Sequence, residues 1–483
     1  MQQLLTGHIT PHDKAQSDYF YIPFELPTAA RRLTVRYHYS AAMSSDEVTG
    51  GNVIDLGIFD PRGGEFPGGL GFRGWSGSAR SEFYLAVDDA TPGYLPGPLP
   101  AGQYQIILGL YRVWDAGADY EISIVAELDE RATTIFPATA TVTEPYPPQV
   151  RAGEGLRWLR GDLQSHTYHS DAKGSLEQLI AKARVLNLDF LAVTDHNTVS
   201  HQPHLAALAG EDLLLLYGQE VTTYYGHMNV WGTRRWCDFR CRTAADIGAI
   251  IVLAHANGGL CSINHPKQGG PAWEYGFDLP VDTMEVWQGP WPYRNAESLA
   301  LWDRLLTTGQ QLRAVGGSDY HCPAGDETNL LRLGQPTTWV LARERSHQGI
   351  LEAIYAGRTS ISAQPTGPRI ALSGVATGQD NRSVMMGAVL PVAPGTTVAV
   401  SATVEAGAGY MLQFVVDGWP LAQELIRTTE QTVTITTPVT RYVRAELIGD
   451  LPAELLPADA PADLDARGWR WALSNPIFVE QVS

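Results

Sequence analysis

The chain changes the period of its hydrophobic positions twice along its length. Between residues 18 and 130, six short runs alternate apolar and polar side chains at every second position, and clusters of glycine and proline separate them. The same alternation returns from about residue 366 onward in four further runs. Such runs at this spacing are typical of β-sandwich strands. The pattern therefore predicts a β-sandwich at each end of the chain.

The middle of the chain follows a different pattern, in which short apolar runs alternate with helical periodicity. The spacing of one helix face is shared by the apolar side chains of Leu176, Leu179, Ile180, Ala183 and Leu186. Residues 244–256 and 295–309 give two further predicted helices. Seven apolar runs are strand candidates: residues 159–163, 189–194, 213–218, 228–231, 260–264, 283–288 and 312–317.

Alternating strands and helices predict a parallel sheet, and seven strands favour closure into a (β/α)7 TIM-like barrel. The predicted fold class is thus multidomain α/β plus all-β. Its domains would be an N-terminal β-sandwich at residues 1–150, a barrel at 151–365 and a C-terminal β-sandwich at 366–483.

Composition and charge narrow the classes of partner. The 483 residues carry a formal net charge of -18, which argues against a long contact surface for nucleic acid polymers. No apolar stretch reaches the roughly 18 residues of a membrane span, and no basic segment followed by an apolar one marks a signal peptide. We therefore expect a cytoplasmic protein without membrane contacts. Its four cysteines all lie between residues 237 and 322, and we expect buried thiols rather than a zinc site.

Histidines and acidic residues are concentrated where the predicted strands end. Of the 13 histidines, ten lie between residues 166 and 347. The carboxyl ends of barrel strands meet on one face, so side chains that follow separate strands are expected to converge. Imidazole and carboxylate groups suit Zn, Mn or Fe, and this set is too large for one tetrahedral ion. The candidate ligands from the strand ends are His166, Asp171, His196, Glu220, His227, His265, Asp319 and His321.

The motifs that contain these residues resemble a known family. In order, they are "DLQSHTYHSD", "TDHN", "GQE", "INHP" and "GSDYH". This series resembles the PHP (polymerase and histidinol phosphatase) superfamily of metallohydrolases, and its fuller forms are most similar to the carbaryl hydrolase-like branch. The resemblance covers residues 160 to 325. It implies a distorted seven-stranded PHP barrel with a trinuclear metal site.

The resemblance also implies three sets of ligands. The first ion would be held by Gln164, His166, Glu220 and Asp319; the second by Glu220 as a bridge with His227 and His265; the third by Asp171, His196 and His321. The family has histidine where this chain has Gln164. We expect two or three divalent ions, Zn or Mn, with Fe as a further option. A glutamine offers only a neutral oxygen, so the first of these ions should bind most weakly.

A metal cluster of this kind implies hydrolysis of an ester bond in a small molecule. Two ions can lower the pKa of a shared water, and the resulting bridging hydroxide can attack phosphorus or a carbonyl carbon. The favoured interpretation is a phosphoesterase of broad specificity that acts on small phosphodiesters. A carbamate or carboxylic ester hydrolase, similar to carbaryl hydrolase, is the alternative. A carbohydrate-binding or adhesion protein with an inert barrel is disfavoured, because eight of nine ligand positions are kept. The sequence leaves open whether the protein forms homo-oligomers.

Several other residues near these motifs are candidates for catalytic, structural or substrate-binding roles. Besides Glu220 and Asp319, the catalytic candidates are His169, which could protonate a leaving group or lie outside the reaction, and Lys267, which could pair with a phosphate or simply be solvated. Asp195 is expected to orient a neighbouring ligand, and His255 to be packed. The aromatic residues that could line an aryl pocket or fill the core are Trp287, Trp291 and Tyr293.

Overall fold

The computed structural model describes residues 1–43, 51–136, 145–150, 155–269, 272–325, 331–378, 383–451 and 467–482. Within them the chain is a mixed α/β protein with many strands and few helices. The predicted domain boundary after residue 150 falls beside residues 151–154, outside the described part.

The N-terminal region forms two four-stranded antiparallel sheets around one core. Its elements are β1 (Gln2–Ile9), α1 (Pro11–Gln16), β2 (Tyr19–Leu26), β3 (Ala30–Tyr39), β4 (Val53–Phe59), β5 (Phe72–Gly77), β6 (Glu82–Ala86), β7 (Gly102–Arg112) and β8 (Ala118–Leu128). The strand orders are β1-β8-β3-β6 and β2-β7-β4-β5. Side chains such as Leu33, Ile58 and Leu108 fill the space between the sheets because every second residue points inward. The six predicted strand runs are confirmed.

The central region contains the three predicted helices and all seven predicted strands. Its elements are β9 (Arg157–Asp162), α2 (Leu176–Val185), β10 (Phe190–Val193), α3 (Gln202–Leu208), β11 (Leu214–Thr223), β12 (Gly226–Trp231), α4 (Ala244–Ala256), β13 (Leu260–Ile263), β14 (Thr283–Gln288), α5 (Asn295–Thr307), β15 (Arg313–Gly317), β16 (Thr337–Ala342), α6 (His347–Tyr355) and β17 (Thr359–Ser362). Helix α2 begins at a capping box formed by Ser175 and Gln178. Four residues of its predicted apolar face are buried, whereas the fifth, Leu186, is half-buried at the C-cap.

The closed parallel barrel is not confirmed. The ladder runs β15-β14-β13-β12-β11-β10-β9-β16-β17, and β12 is antiparallel to both of its neighbours. In the described residues no ladder joins β15 to β9. Instead, the segments after these strands meet at an isolated bridge between Ser165 and Tyr320, and the Asp319 amide donates to the Gln164 carbonyl at 3.1 Å. The ends of β9 and β15 therefore lie close together even though the sheet stays open.

The C-terminal strands continue the central sheet. They are β18 (Arg369–Ala376), β19 (Val384–Met385), β20 (Val389–Val392), β21 (Thr397–Glu405), β22 (Met411–Val416), β23 (Trp419–Leu425), β24 (Glu430–Pro438), β25 (Tyr442–Gly449), β26 (Trp469–Ser474) and β27 (Ile477–Gln481). Strand β26 pairs with β17, so the large sheet extends through β26-β25-β22-β23. A second sheet, β19-β18-β21-β24, covers it around a shared core. The predicted C-terminal β-sandwich thus shares a sheet with the central region, and the boundary at residue 365 stays a prediction.

The sheet β2-β7-β4-β5 is covered on both faces over β4, β5 and the middle of β7, whereas outer side chains of β2 and of the end of β7, such as Tyr21 and Tyr111, are exposed. One face fills the N-terminal core, whereas the other packs Phe59, Trp75 and Ile107 against the central region. A glycine at position 109 makes this contact possible, since a Cβ there would lie 2.2 Å from the hydroxyl oxygen of Tyr224. The N-terminal region is therefore held directly against β11 and the turn that follows it.

The four cysteines are free and buried, as predicted. None of the helices in the described part of the chain combines the length and apolar composition that a membrane crossing requires.

Candidate metal centre

The predicted ligands converge at one end of the central sheet. His166 and His196 lie just beyond β9 and β10, His265 beyond β13, and Asp319 beyond β15, while Glu220 and His227 lie on the hairpin of β11 and β12. Three overlapping groups have ligand atoms within 4.8 Å of one another: His166, His196 and His321; His196, Glu220 and His227; and His166, Glu220 and Asp319. The structure thus brings together side chains that are up to 155 positions apart.

The first predicted ligand set surrounds His166. Its Nε2 atom lies 3.1 Å from Asp319 Oδ1 and 3.3 Å from Glu220 Oε2. Four ligands on a tetrahedral ion with bonds of about 2.0 Å lie roughly 3.3 Å from one another. These separations therefore match donor atoms that share one ion.

The second set lies on the other oxygen of Glu220. His227 Nδ1 is 3.1 Å and His265 Nε2 is 3.4 Å from Glu220 Oε1. Glu220 Oε2 lies near His166, whereas Oε1 lies near His227 and His265, an arrangement in which Glu220 could hold two ions. Gln164 of the first set also contacts Oε1, at 3.2 Å.

The third set is the most exposed. His196 Nε2 and His321 Nε2 are 3.3 Å apart, and they lie 3.6 Å and 3.3 Å from Asp171 Oδ1. The other ring nitrogen of His321 contacts the Asp319 carbonyl at 2.8 Å, so Nε2 is left for a ligand. Two imidazoles and one carboxylate again have the spacing of one coordination sphere.

Buried atoms without hydrogen bonds show that these residues fit a metal ion. In the described part of the chain, neither ring nitrogen of His166 makes a hydrogen bond, and neither does Glu220 Oε2 nor Gln164 Oε1. All three residues are fully buried. The carboxylates of Asp319 and Glu220, 3.1 Å and 3.3 Å from His166 Nε2, are ionic partners of this ring only when it is protonated. For the neutral ring, an ion is one of the few partners that satisfies several converging lone pairs at once.

The side-chain amide of Gln164 points its nitrogen, and not its oxygen, at the carboxylates of the site. Its Nε2 atom donates to Glu220 Oε1 at 3.2 Å and to Asp319 Oδ1 at 3.3 Å, while Oε1 has no partner in the described residues. The amide thus donates hydrogen bonds to two carboxylates that would otherwise face an ion. For Gln164 to coordinate through oxygen, the amide has to rotate and both hydrogen bonds have to break.

The charged groups of the site shift one another's pKa values. Burial raises the pKa of Asp319, but His321 and His166 outweigh it and hold that pKa well below its usual range. Glu220 has a lowered pKa for the same reason, chiefly because of His196. Burial lowers the pKa of His265, but the Glu220 carboxylate raises it by more, and the resulting pKa is about 9. Carboxylates that stay ionised and lie close together attract divalent cations.

Further polar groups hold the ligands in place, and three of them were missed from the sequence. Asn264 donates to Glu220 Oε1 at 2.9 Å, and Gln288 donates to Asp319 Oδ2 at 3.0 Å. Glu285, buried in β14, accepts from the backbone amide of His265 at 2.8 Å. A carboxylate inside the apolar run 283–288 was the available signal for Glu285.

Two of the ligand residues have left-handed backbones. The φ angles of His265 and Asp319 are 29° and 55°. Non-glycine residues in this region cost of order 1–3 kcal/mol each and are concentrated at functional sites. The strain indicates that the chain holds these side chains at a fixed position at the end of the sheet.

The remaining candidates have varied positions. Asp195 accepts bonds from the amide and hydroxyl of Thr167 and from the Ser170 hydroxyl, so it fixes the loop between two ligands. His169 is buried and contacts Ser200 Oγ at 2.8 Å; burial lowers its pKa to about 4, and its catalytic role stays a prediction. His255 is packed against the Tyr146 ring, 3.7 Å between centroids.

Two clefts open onto the cluster, and both reach His196 and His227. The first, the basic cleft, has a volume of about 580 Å³, and it contains Lys267, Gln288, Tyr293 and Arg294 beside His265 and Asp319. Trp287 and Trp291, by contrast, are buried in the core, so of the predicted aromatic wall only Tyr293 lines a cleft. The second, the aromatic cleft, has a volume of about 570 Å³, and its rings are Tyr19, Trp75, Tyr111, Tyr224 and Phe239.

Among the comparisons with known proteins, only the comparison with solved structures finds similar chains. No protein-family model and no curated protein matches the chain. A two-domain protein from Bacteroides vulgatus with a predicted PHP-like metal-dependent phosphoesterase is 18% identical; the match covers 69% of this chain and 99% of that one, with a TM-score of 0.34. A proposed metal-dependent phosphoesterase from Bifidobacterium adolescentis is 18% identical over 36% of this chain and 90% of that one, with a TM-score of 0.26.

An amidohydrolase from Chromobacterium violaceum, solved with sulfate and no metal, is 16% identical. The match covers 34% of this chain and 87% of that one, with a TM-score of 0.24. At these TM-scores the three structures carry no inference about activity, which has to come from the site itself.

Proposed function

We propose that this chain is a metal-dependent hydrolase of ester bonds, and that small phosphodiesters are its preferred substrates. The observation that carries the proposal is Glu220: its carboxylate is fully buried, and its two oxygens face two different groups of imidazoles. Two or three divalent ions, Zn, Mn or Fe, would be held by the three ligand sets. Bound ions of this kind supply Lewis-acid chemistry, which activates water and neutralises charge on ester oxygens.

The chain's own residues provide orientation. Asn264 and Gln288 fix the carboxylates of Glu220 and Asp319, and Thr222 Oγ1 lies 2.5 Å from His196 Nδ1. A site that is already ordered loses little free energy to reorganisation when charge develops on the substrate. In the reaction, water oxygen bonds to phosphorus, the bond from phosphorus to one alcohol oxygen breaks, and that alcohol leaves with a proton.

The basic cleft favours a phosphodiester over a neutral carbamate. Lys267 Nζ donates to the Gln288 carbonyl at 3.1 Å and to Asn295 Oδ1 at 2.9 Å, which holds its ammonium at the cleft beside Asp319. Burial lowers the pKa of Lys267 to about 8, so the group is largely protonated at neutral pH. Arg294 lines the same cleft, where it pairs with Glu297 at 2.8 Å. The Lys267 ammonium attracts the anionic oxygen of a phosphodiester and gains nothing from an uncharged carbamate.

A substrate panel tests the proposal. It contains bis(4-nitrophenyl) phosphate, 4-nitrophenyl phosphate, a phosphotriester, 4-nitrophenyl acetate and a 1-naphthyl carbamate. We expect the highest kcat/KM on the phosphodiester. A preference for the carbamate of more than about tenfold, which is about 1.4 kcal/mol in barrier, would overturn the substrate assignment. Absence of hydrolysis across the panel would favour a binding protein.

Lys267→Met sharpens the distinction between substrates. It should lower kcat/KM for the phosphodiester by about 10-fold to 100-fold, the size of a lost ionic contact, and leave the slow carbamate reaction unchanged. Lys173→Met is the matched control, because Lys173 is exposed and lies outside both clefts. Equal losses on both substrates would show that Lys267 acts through structure. Cytoplasmic location and self-association stay predictions.

A further inference from the structure

The aromatic cleft has one wall from the N-terminal sheet and one from the metal cluster. Tyr19, Asp55, Trp75 and Tyr111 come from β2, β4, β5 and β7. The opposite wall includes Asp171, His196 and His227 from the metal centre. A substrate bound at the ions therefore has part of its surface against a sheet that is remote in sequence.

The N-terminal wall is fixed to the loops that carry the ligands. Gly93 donates to Ser200 Oγ at 3.0 Å and accepts from Thr198 Oγ1 at 3.0 Å, and Arg80 donates to the Tyr168 carbonyl. These bonds connect the sheet to the segments just beyond His166 and His196. The wall is thus a permanent part of the site.

The rings of the cleft form a connected aromatic surface. Tyr224 stacks on Tyr19 at 5.9 Å between ring centroids and meets the edge of Tyr111 at 5.3 Å. Trp75 packs against Tyr19 at 6.1 Å. The face of an aromatic ring carries a partial negative charge and attracts cations. Lys14 Nζ already lies 4.7 Å from the centroid of Tyr224, which shows this attraction within the fold.

A carboxylate faces the same space. Tyr224 donates its hydroxyl to Asp55 Oδ2 at 2.6 Å, and no described residue forms a hydrogen bond with Asp55 Oδ1. Burial raises the pKa of Asp55 to about 6, so the group is mainly ionised at pH 8. Among the described residues that line this cleft there is no lysine or arginine, whereas the basic cleft has Lys267 and Arg294. Charge therefore separates the two clefts.

We propose that the aromatic cleft binds a substituted ammonium group on one alcohol of the substrate, and that Asp55 and Tyr111 determine this specificity. The inference deepens the proposed phosphodiesterase function, on which it rests. The substrate class is then a phosphodiester in which one alcohol is cationic. Its anionic phosphate would meet the ions and the basic cleft, and its ammonium would meet the aromatic rings and the carboxylate.

A pair of isosteric esters tests the proposal. 4-Nitrophenyl phosphocholine carries a trimethylammonium group, and 4-nitrophenyl 3,3-dimethylbutyl phosphate carries an uncharged group of the same shape. We expect the choline ester to have a kcat/KM at least about tenfold higher, which corresponds to a cation held by rings and a carboxylate. Asp55→Asn, which keeps an acceptor for Tyr224, should reduce this ratio to about 2 or less.

Tyr111→Leu should lower the ratio as well, and it is expected to fold because Tyr111 is 54% exposed. The matched control is Trp114→Leu: Trp114 is 46% exposed, near Tyr111 in sequence and outside the residues that line the cleft. Calorimetry with choline and with 3,3-dimethylbutan-1-ol gives a readout independent of catalysis. Choline alone should bind, and Asp55→Asn should weaken it by about tenfold or more.

The outcomes separate the two proposals. Equal rates on the two esters, with the Asp55→Asn variant unchanged, would overturn the ammonium assignment and leave the phosphodiesterase function intact. Choline binding that depends on Asp55, without hydrolysis of either ester, would support the cleft assignment and overturn the proposed reaction. Absence of both binding and hydrolysis would overturn both.

Discussion

Replacing Gln164 by histidine should tighten the binding of the weakest ion of the cluster. In the structure the amide nitrogen of Gln164 lies between Glu220 Oε1 and Asp319 Oδ1, and it donates to both. An ion held by these carboxylates has to displace the amide. An imidazole at position 164 has no need to rotate, because it presents a nitrogen lone pair to the ion.

The expected magnitude follows from the two hydrogen bonds. At 3.2 Å and 3.3 Å they are long, so each is assigned about 1.5 kcal/mol, the lower end for bonds to a charged group. Breaking both costs about 3 kcal/mol, which weakens the dissociation constant of the ion by about 100-fold. Gln164→His removes this cost and adds a ligand, so an improvement of at least about 100-fold is expected.

The assay is a titration of demetallated protein with Zn²⁺ against a competing chelator dye, with calorimetry for stoichiometry. Gln164→Leu is the control, because it removes the two hydrogen bonds without supplying a ligand. Its affinity should lie between those of the wild type and the histidine variant. Identical stoichiometry and affinity in wild type and Gln164→His would refute the reasoning and remove position 164 from the metal site.

Three further predictions concern the bridge, a buried ion pair and a buried carboxyl group. Glu220→Gln should lower kcat by more than about 100-fold and reduce bound metal, because even the outer partners of metal ligands contribute 10–100-fold. Arg444→Met should lower the free energy of unfolding by about 3–5 kcal/mol in denaturant titrations, since Arg444 is 2% exposed and lies 2.7 Å from Asp303. Arg36→Met is the control and should change it far less, because Arg36 is 66% exposed in its pair with Glu82. Asp55 has a folded pKa of about 6 against 3.8 unfolded, so its contribution to stability is present below about pH 4 and is lost as pH rises through about 6. Over this range the free energy of unfolding of wild type should fall by up to about 3 kcal/mol relative to Asp55→Asn. A difference between the two proteins that does not change with pH would contradict this.

The ligand cluster was predictable because its signal is local in the sequence. His166, His196 and His265 each follow a short apolar run that forms a strand, and the ends of adjacent strands lie together. The direction of β12 was not predicted. The run 228–231 has the composition of a buried strand. The two residues of the turn that reverses the chain, Tyr224 and Tyr225, are not the glycine or asparagine usual at these positions, and the only glycine is Gly226 just after them.

The aromatic cleft was beyond the reach of sequence reasoning. Asp55 and Tyr224 form a hydrogen bond across 169 positions, and nothing in the two local patterns connects them. Asp55 lies in an alternating strand, where a polar residue normally indicates a solvent-facing side. Strand β4 is instead buried on both faces, and the second face becomes visible only when the N-terminal and central regions are packed together.

The central claim is that Glu220 joins two metal ions at the end of the central sheet. Metal content, determined by elemental analysis and native mass spectrometry on active protein, tests it most directly when wild type and Glu220→Ala are compared. The account predicts more than one equivalent of Zn, Mn or Fe in wild type, loss of at least one equivalent in the variant, and loss of hydrolysis on chelation. Active protein without bound transition metal, or an unchanged metal content in Glu220→Ala, would contradict it.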